Sequence, residues 1–566
     1  MDITQDFGPR DPSVLYQQEN HLSQNVAAGV TDSILHVRRG GLTFSQLLQK
    51  APRHPRVLQL LYEMGFYGVL RCGHIEIDNH LVTALVERWR PETHTFHFPV
   101  GEATVTLQDI ALLWGLPIAG HPVVGKDSKK TTEEWQDYCL RWLGFRPDTS
   151  SLRRSNLKMS TLTQRLLNHP VNDDSNLVEV MQEARICALC LLSGVMCPDA
   201  QGSHVSLFYL RYMENICDTG SYSWGTAVLG YLYRELCVAA QIGKVNIGGA
   251  MHLLQIWAWS RITTLTPQKV DDKIAMGPIV VDEDNILPIP PYGARWTMQM
   301  TLKHTVKNSL RIFREMFDRM VPGEFIWQPY DMDSDEVRLL PDAAAPHLWT
   351  AKCPLIHHAI VEIHHAERVL RQFGMIQDIP PLPDVSERKL HSIDRRGRHG
   401  EDWAWYHREY VAQWANVQEL VVSKPMIQPG GPSMVDDYMP WYYQITRIRV
   451  SKSLQPNTIG YHPTNLSDWQ YVVDRLKQIV VSCDTTNNDD LQALNQLRVT
   501  CRGIATDLID YSRARYPAAQ MHDLVQDSSQ SECYSTSKRQ RLIEMSSSSS
   551  RQDSDTVELG DNLLRL

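Results

Sequence analysis

The stretch from residue 65 to residue 125 constrains the fold of this chain more than any other, because helix and strand patterns follow one another there without a gap. Asp78 or Asn79 can accept hydrogen bonds from the free N–H groups that open a helix, and Pro91 ends that helix at Arg90. The sequence therefore predicts one amphipathic helix between these points. Its apolar side chains recur at helical spacing and are Leu81, Val82, Leu85, Val86 and Trp89.

Two short alternating runs follow this predicted helix. Polar and aromatic side chains alternate in the segment Thr95–Phe98, which is the two-residue period of a strand. The dipeptide Gly101-Glu102 then supplies a tight turn into a second alternating run that ends at Val105. These features predict a small β-hairpin near the N-terminal end of the fold.

A second helix is predicted directly after the hairpin. Thr106 and Asp109, three residues apart, have the pattern of a capping box, in which each side chain bonds to the backbone N–H of the other residue. Gly115 can adopt the left-handed conformation that ends a helix, and Pro117 prevents its continuation. We therefore expect a helix from Leu107 to Trp114.

This stretch resembles the plant mobile domain. That domain is found in proteins of the maintenance-of-meristems-like group, in long-form homologues of protein phosphatase 7, and in plant transposable elements. The resemblance continues more loosely through Trp257 and Arg295-Trp296 to about Val422. Its carrying residues are Gly65, Phe66, Asp78, Leu85, Glu87, Arg88, Trp89, Thr95, Phe96, Gly101, Glu102, Thr106, Leu107, Asp109, Leu113, Gly115, Leu116 and Pro117.

The resemblance implies a non-catalytic nuclear protein linked with meristem maintenance, genome stability and silencing of transposable elements. A protein encoded by a mobile element is the alternative, and flanking repeats or a neighbouring transposase frame would favour it. A phosphatase-like or metal-dependent enzyme is a weaker alternative. The resemblance also suggests a protein partner, with a phosphatase of the protein phosphatase 7 type as the candidate.

The rest of the chain predicts a mainly α (α+β) fold, in which a large helical domain carries the small hairpin. Long apolar runs between residues 178 and 262, and later runs at 354–373 and 403–422, favour helices. We divide the chain into an N-terminal arm (1–55), the mobile domain (56–422), a helical appendage with a Pro/Gly-rich linker (423–519) and a disordered Ser-rich tail (520–566).

Charge and composition indicate in which compartment the protein occurs and which classes of partner it can bind. The net charge is −9, so the molecule lacks the broad positive field that attracts nucleic-acid backbones. This charge argues against direct nucleic-acid binding but does not exclude it. No apolar run approaches the length that crosses a bilayer, and the cysteines lie mostly in apolar runs. We therefore expect a soluble intracellular protein with buried thiols and no membrane partner.

The sequence lacks the ligand motifs of a metallophosphatase and the spacing of a common zinc site. A metallophosphatase of the type suggested by the family names needs several Gly-Asp and Gly-Asn-His-Glu ligand motifs, and the only Gly-Asp pair is Gly560-Asp561. Cys187 and Cys190 form a C-x-x-C followed by Cys197 and His204, but this spacing matches no zinc finger or knuckle. The apolar run around these cysteines favours the interior of a helix.

A His-rich segment, residues 357–365, is the more interesting metal candidate. On a helix, His358, Glu362 and His365 would share one face, where three N and O ligands could meet one divalent ion. No second segment with ligands is evident, so a polar face of a half-buried helix is the favoured interpretation. We assign no metal, cofactor or catalytic residue from the sequence.

Basic and aromatic residues suggest two possible contacts with partners. Trp89 lies between Arg88 and Arg90, a combination that can stack on bases, although its apolar neighbours favour a core position. Arg88, Arg90 and the His-rich segment are candidate rim positions of a protein interface. The basic run containing Lys538, Arg539 and Arg541 is a candidate nuclear-import signal, so we expect the nucleus as the location.

Overall fold

Helices make up most of the regular structure in the computed structural model of this chain, which confirms the predicted mainly α fold. The structure describes residues 8–30, 33–37, 42–73, 75–127, 129–199, 203–267, 278–283, 285–296, 309–332, 345–395, 398, 400–451, 497, 499 and 501. One compact unit comprises Met1–Leu454 and a second comprises Gln455–Leu566. In the described part, no helix is both long and apolar enough to cross a membrane.

Sixteen α-helices are present in the described residues. They are α1 (Ser23–Ala28), α2 (Leu42–Lys50), α3 (Pro55–Glu63), α4 (Tyr67–Cys72), α5 (Asn79–Val86), α6 (Leu107–Trp114), α7 (Thr132–Leu143), α8 (Met159–Asn168), α9 (Leu177–Leu191), α10 (Ile216–Thr219), α11 (Trp224–Ala239), α12 (Met251–Arg261), α13 (Leu310–Asp318), α14 (Trp403–Tyr406), α15 (Arg408–Ala415) and α16 (Tyr438–Ile445).

The strands of the described segments are short and form five small sheets. The sheet orders are β1-β8 (parallel), β2-β3-β4, β5-β6-β7, β9-β10 and β11-β12, all antiparallel except the first. The strands are β1 (His36–Val37), β2 (Trp89–Arg90), β3 (Thr95–Phe98), β4 (Gly101–Ala103), β5 (Leu152–Arg153), β6 (Asn156–Lys158), β7 (His204–Ser206), β8 (Asn246–Ile247), β9 (Ile279–Val280), β10 (Ile286–Leu287), β11 (Cys353–His357) and β12 (Ile360–His364).

The helix caps predicted on either side of the hairpin are confirmed. The Asp78 side chain accepts hydrogen bonds from the first N–H groups of α5, and Thr106 with Asp109 forms the capping box of α6. Gly115 ends α6 in the left-handed region with φ +64°. The predicted helix that carries Trp89 is too long, however, because α5 ends at Val86 and Trp89 pairs with Phe96 in the sheet. The turn predicted at Gly101-Glu102 is wrong, because Gly101 and Glu102 pair with Phe98 and His97 in the sheet and the turn lies at Pro99 and Val100.

The predicted helix at 354–373 is wrong, because this segment forms the hairpin of β11 and β12. A two-residue turn at His358 and Ala359 joins the strands, and His358 adopts a left-handed conformation with φ +54°. Both faces of the hairpin are buried, and the polar residues His357, Glu362 and His364 are buried as well, so no alternation of exposed and buried side chains marks the strands. The predicted helix at 403–422 is likewise divided into α14, α15 and a 3₁₀ turn.

Helix α11 lies at the centre of the core and contacts both hairpins. Its Gly230 leaves no room for a side chain, since a Cβ there would lie 2.8 Å from the carbonyl oxygen of Leu355 on β11. Tyr233 on the same helix donates a hydrogen bond of 2.7 Å to the carbonyl oxygen of Val105, just after β4. Helix α11 therefore packs against both hairpin regions, which also touch each other directly, since His94 Nδ1 lies 2.8 Å from the carbonyl oxygen of Ile363.

Segments on either side of the family stretch also contribute to the core. Phe44 on α2 is fully buried in the main hydrophobic cluster. Val14 and Leu15 form a second cluster with Tyr438 and Tyr442 of α16. The division into arm, domain, appendage and tail stays a prediction, and most of the residues after 451, including Lys538, Arg539 and Arg541, lie outside the described residues.

Candidate functional site

The charged residues of the family stretch form buried ion pairs with distant parts of the chain. Glu87 receives two hydrogen bonds from Arg314 of α13, at 2.8 and 2.7 Å. Glu102 likewise receives two from Arg368, at 2.7 and 2.8 Å. Asp109 caps α6 and also binds Arg261 of α12 at 2.6 Å. Each of these ion pairs links the region around the first hairpin to a segment that follows it much later in the sequence.

The apolar and glycine residues of the family stretch are packing residues. Gly65 has φ +82°, and a Cβ there would lie 2.9 Å from the Pro117 ring, so these two signature positions fit against each other. Thr95 donates a hydrogen bond of 2.9 Å to Glu102. The fully buried aromatic and aliphatic members are Phe66, Leu85, Trp89, Phe96, Leu107, Leu113 and Leu116. The core position predicted for Trp89 is therefore confirmed.

The proposed rim positions Arg88 and Arg90 are wrong, because both side chains are only 1% exposed. Arg88 pairs with Asp318 of α13, and burial lowers the pKa of the Arg88 guanidinium. Arg90 donates to Gln18 at 2.9 Å, and burial lowers its pKa to about 10. Strand β2 runs through the interior, so its flanking arginines cannot contact a partner.

The His-rich segment does not present the three predicted ligands together. His358, in the hairpin turn, lies 2.9 Å from Asp127 through its Nε2 atom. His365 follows β12 and lies between Glu367 and Glu387, at 3.3 and 3.1 Å. Glu362 alone of the three points into a group of metal-ligating side chains, because strand geometry separates residues that a helix would have aligned.

That group consists of His94, Cys237, Glu362 and His391, and one ligand atom from each lies within 4.8 Å of all the others. The Nε2 atom of His94 is 3.1 Å from Glu362 Oε2 and 3.1 Å from His391 Nε2. The His391 Nε2 atom is 3.0 Å from the same carboxylate oxygen. Among the described residues, this is the one such group that includes both histidine and cysteine.

Four separate elements deliver these side chains. His94 lies in the turn between β2 and β3 with φ +51°, Cys237 is on α11, Glu362 is on β12, and His391 is in the 3₁₀ segment Val385–Ser392. Arg234, one turn before Cys237, binds the other oxygen of Glu362. The cluster therefore lies where the two hairpins meet the central helix.

Burial dominates the electrostatics of the cluster. It lowers the pKa of His94 and raises the pKa of the Cys237 thiol well above its usual range. Burial also opposes ionisation of Glu362, but the neighbouring His391 and Arg234 hold the pKa of this carboxyl well below its usual range. The cluster thus combines a carboxylate, neutral imidazole and a thiol in a dry setting.

Sequence reasoning missed three of these four residues. His94 lies inside the family stretch but is not part of any metal-ligand motif with a known spacing. Cys237 and His391 follow it only after long intervals of sequence. The segment with Cys187 and Cys190, which superficially suggested zinc, is the buried interior of α9, as its apolar run predicted. Burial raises the pKa of both thiols.

The described part of the chain is thus mainly helical, and the signature residues contribute to its core and to its buried ion pairs. The model of the Plant mobile domain matches residues 65–443, and the chain belongs to the plant mobile domain family.

Among curated proteins, three relatives from Arabidopsis thaliana illustrate the similarity. "Serine/threonine-protein phosphatase 7 long form homolog" is 36% identical over 84% of this chain, which spans 34% of that relative. "Protein MAIN-LIKE 1" is 32% identical over 79% of this chain and 80% of its own length. "Protein MAINTENANCE OF MERISTEMS" is 28% identical over 76% of this chain and 82% of its own length. No solved structure matches.

Proposed function

We propose that this chain is a non-catalytic nuclear protein that acts as a protein-interaction scaffold in meristem maintenance, genome stability and silencing of transposable elements. The observation that carries the scaffold role is the use of the family's charged residues in buried ion pairs, such as Glu87 with Arg314. Residues that define a reaction site need access to substrate, and these do not have it. The printed name of the relative "Protein MAINTENANCE OF MERISTEMS" supports the meristem role.

The proposed partner is a phosphatase of the protein phosphatase 7 type. Support comes from the relative named "Serine/threonine-protein phosphatase 7 long form homolog", of which this chain spans 34%. About two thirds of that relative therefore lies outside the matched region, which leaves room for a further domain in the same chain. Modules that are joined in one protein can also associate when they are separate.

An exposed aromatic and basic surface on α14 and α15 is the proposed contact site. Trp405 is 68% exposed, and the guanidinium of Arg408 lies 4.8 Å from the centre of its ring. Arg398 lies 5.0 Å from the ring centre of Tyr406 beside it. Tryptophan, tyrosine and arginine dominate the energetics of protein interfaces, so this surface is suited to bind a protein.

Calorimetric titration with a purified phosphatase domain of this type tests the proposal. We expect the full chain to bind, and the double variant Trp405→Ala with Arg408→Ala to bind at least about tenfold more weakly, since a hot-spot residue contributes about 2 kcal/mol or more. The matched control is Leu140→Ala with Arg141→Ala, an exposed apolar and basic pair on α7. Binding of DNA with steep salt dependence, and no binding of the phosphatase, would contradict the scaffold role.

Nuclear import is a separate part of the proposal. The basic run with Lys538, Arg539 and Arg541 is the proposed import signal. A fluorescent fusion of the full chain should accumulate in plant nuclei, and alanine at these three positions should shift it to the cytoplasm. An unchanged nuclear fraction in the triple variant would assign import to another segment.

A further inference from the structure

The hydrogen bonds around His94 fix which of its ring nitrogens is protonated. Its Nδ1 atom lies 2.8 Å from the carbonyl oxygen of Ile363. A carbonyl oxygen only accepts, so Nδ1 carries the proton and the neutral ring keeps a lone pair on Nε2. This second bond of a histidine to a backbone carbonyl is the usual way in which proteins orient a metal ligand.

The lone pair on His94 Nε2 faces Glu362 Oε2 and His391 Nε2, and hydrogen bonds among these three atoms cannot pair all of them. Glu362 Oε2 and His391 Nε2 each lie 3.1 Å from His94 Nε2. Only His391 can offer a proton within this triangle, and one N–H cannot serve both of the other atoms well. Glu362 is fully buried, and its Oε2 atom lies 3.1 Å from His94 Nε2 and 3.0 Å from His391 Nε2, so the three atoms compete for one proton. A cation between the three atoms would remove this conflict.

Neighbouring side chains hold the remaining ligand atoms in place. Arg234 binds the other oxygen of Glu362 and donates 2.7 Å hydrogen bonds to the carbonyl oxygens of Leu390 and Ile393, on either side of His391. Trp89 Nε1 donates to Cys237 Sγ at 3.3 Å. Outer contacts of this kind orient ligands in known metal sites.

We propose that His94, Cys237, Glu362 and His391 bind one zinc ion in a closed structural site. Tetrahedral zinc with bonds to nitrogen and oxygen near 2.0–2.1 Å places its ligand atoms about 3.3 Å apart, close to the 3.0 and 3.1 Å observed in this triangle. Thiolate and imidazole ligands favour zinc over magnesium or calcium, which select oxygen. Two anionic ligands also match the charge of a divalent ion.

The proposed ion joins four elements that lie far apart in the sequence. It joins the turn before β3, the central helix α11, strand β12 and the 3₁₀ segment that carries His391. With four protein ligands no position is left for substrate, so the site stabilises the fold and performs no reaction. The His391 side chain is 14% exposed and marks the side from which an ion enters.

Metal analysis of the purified full chain is the first test. We expect one equivalent of zinc by mass spectrometry, loss of the ion on dialysis against a chelator, and one equivalent regained on titration with zinc. Cobalt(II) in its place should give the visible bands of a tetrahedral site and a near-ultraviolet thiolate charge-transfer band. A chain that holds neither ion stoichiometrically, with His94 instead protonated and paired to Glu362, would overturn the proposal.

Matched variants locate the ion. Cys237→Ser should abolish the thiolate band, whereas Cys353→Ser, another buried cysteine on β11, should retain it. His391→Ala affects the least buried ligand, so the variant should still fold. We expect it to bind zinc more than about 100-fold more weakly, since loss of even an outer partner of a ligand costs about 10–100-fold. Undiminished binding in both Cys237→Ser and His391→Ala would overturn the site.

Discussion

At the scale of single residues, Trp89 shows how a family signature residue acts through packing. Its ring is fully buried, with the centres of the Phe96 and Tyr233 rings at 4.9 and 5.0 Å. The Trp89→Ala variant should lose about 3–5 kcal/mol of the free energy of unfolding, because the truncation leaves a cavity in the core. Urea denaturation of the purified chain measures this loss.

The control for this prediction is the exposed Trp405. The Trp405→Ala variant should change the free energy of unfolding by no more than about 0.5 kcal/mol, as is usual at exposed positions. If Trp89→Ala melted like the unmodified chain but lost a partner, Trp89 would belong to a binding site and the packing interpretation would fail.

At the scale of elements, the start of α6 combines a local and a long-range interaction. Among the residues that the structure describes, the Thr106 side chain bonds only within the capping box, whereas Asp109 also binds Arg261 at 2.6 Å with both side chains fully buried. Thr106→Ala should therefore cost about 1 kcal/mol of unfolding free energy. Asp109→Ala should cost about 3–5 kcal/mol, because it leaves the Arg261 charge buried without its carboxylate.

Helix α7 offers the matched comparison for α6. It begins with the same motif, formed by Thr131 and Glu134, but this capping box is exposed. Glu134→Ala should cost about 1 kcal/mol at most in the same denaturation experiment. Equal losses for Asp109→Ala and Glu134→Ala would show that the contact with Arg261 adds nothing to stability.

At the scale of the whole molecule, buried neutral histidines should make the fold sensitive to acid. Burial lowers the pKa of His357 to about 3 and that of His358 to about 4, from 6.5. The unfolded chain therefore binds protons that the folded chain does not, so stability falls as the pH falls from about 6.5 towards 4. For His358 alone, a pKa shift of this size corresponds to a loss of about 3 kcal/mol in the free energy of unfolding once the pH is below both pKa values.

Urea midpoints between pH 7.5 and 4.5 test this sensitivity. His358→Gln should flatten the decline, because glutamine does not titrate and can still donate to Asp127. The exposed His169→Gln serves as the control and should leave the slope unchanged. Asp127 favours the protonated form of His358, whereas the charge of Arg395 opposes it. A decline that is equally steep in both variants would contradict the role of His358.

The segment that matches the family, residues 65–443, should be less stable on its own than the full chain. A fragment of residues 65–443 lacks Phe44 of the main core and Val14 and Leu15, which pack on Tyr438 and Tyr442. We expect this fragment to unfold at a much lower temperature than the full chain, because large apolar surfaces become exposed. Circular dichroism during heating measures the difference, and equal melting temperatures would contradict the prediction.

Some features of this protein follow from the sequence alone because their causes are local. The capping box at Thr106, the left-handed end of α6 at Gly115 and the alternation in β3 depend on residues within one turn or one strand. The family also follows from sequence, since its signature is dense between residues 65 and 117. The choice of Trp89 as a core residue rests on its apolar neighbours.

Other features were decided only by the tertiary structure, because their causes lie far apart in the chain. A segment buried on both faces shows no strand alternation, so the spacing of Ile356, Ile360 and Ile363 favoured a helix at 354–373, whereas β11 and β12 form a hairpin that packs on α11. Arg88 is charged, yet its partner Asp318 allows it to be buried. The cluster of His94, Cys237, Glu362 and His391 exists only where four distant elements meet, so spacing could not predict it.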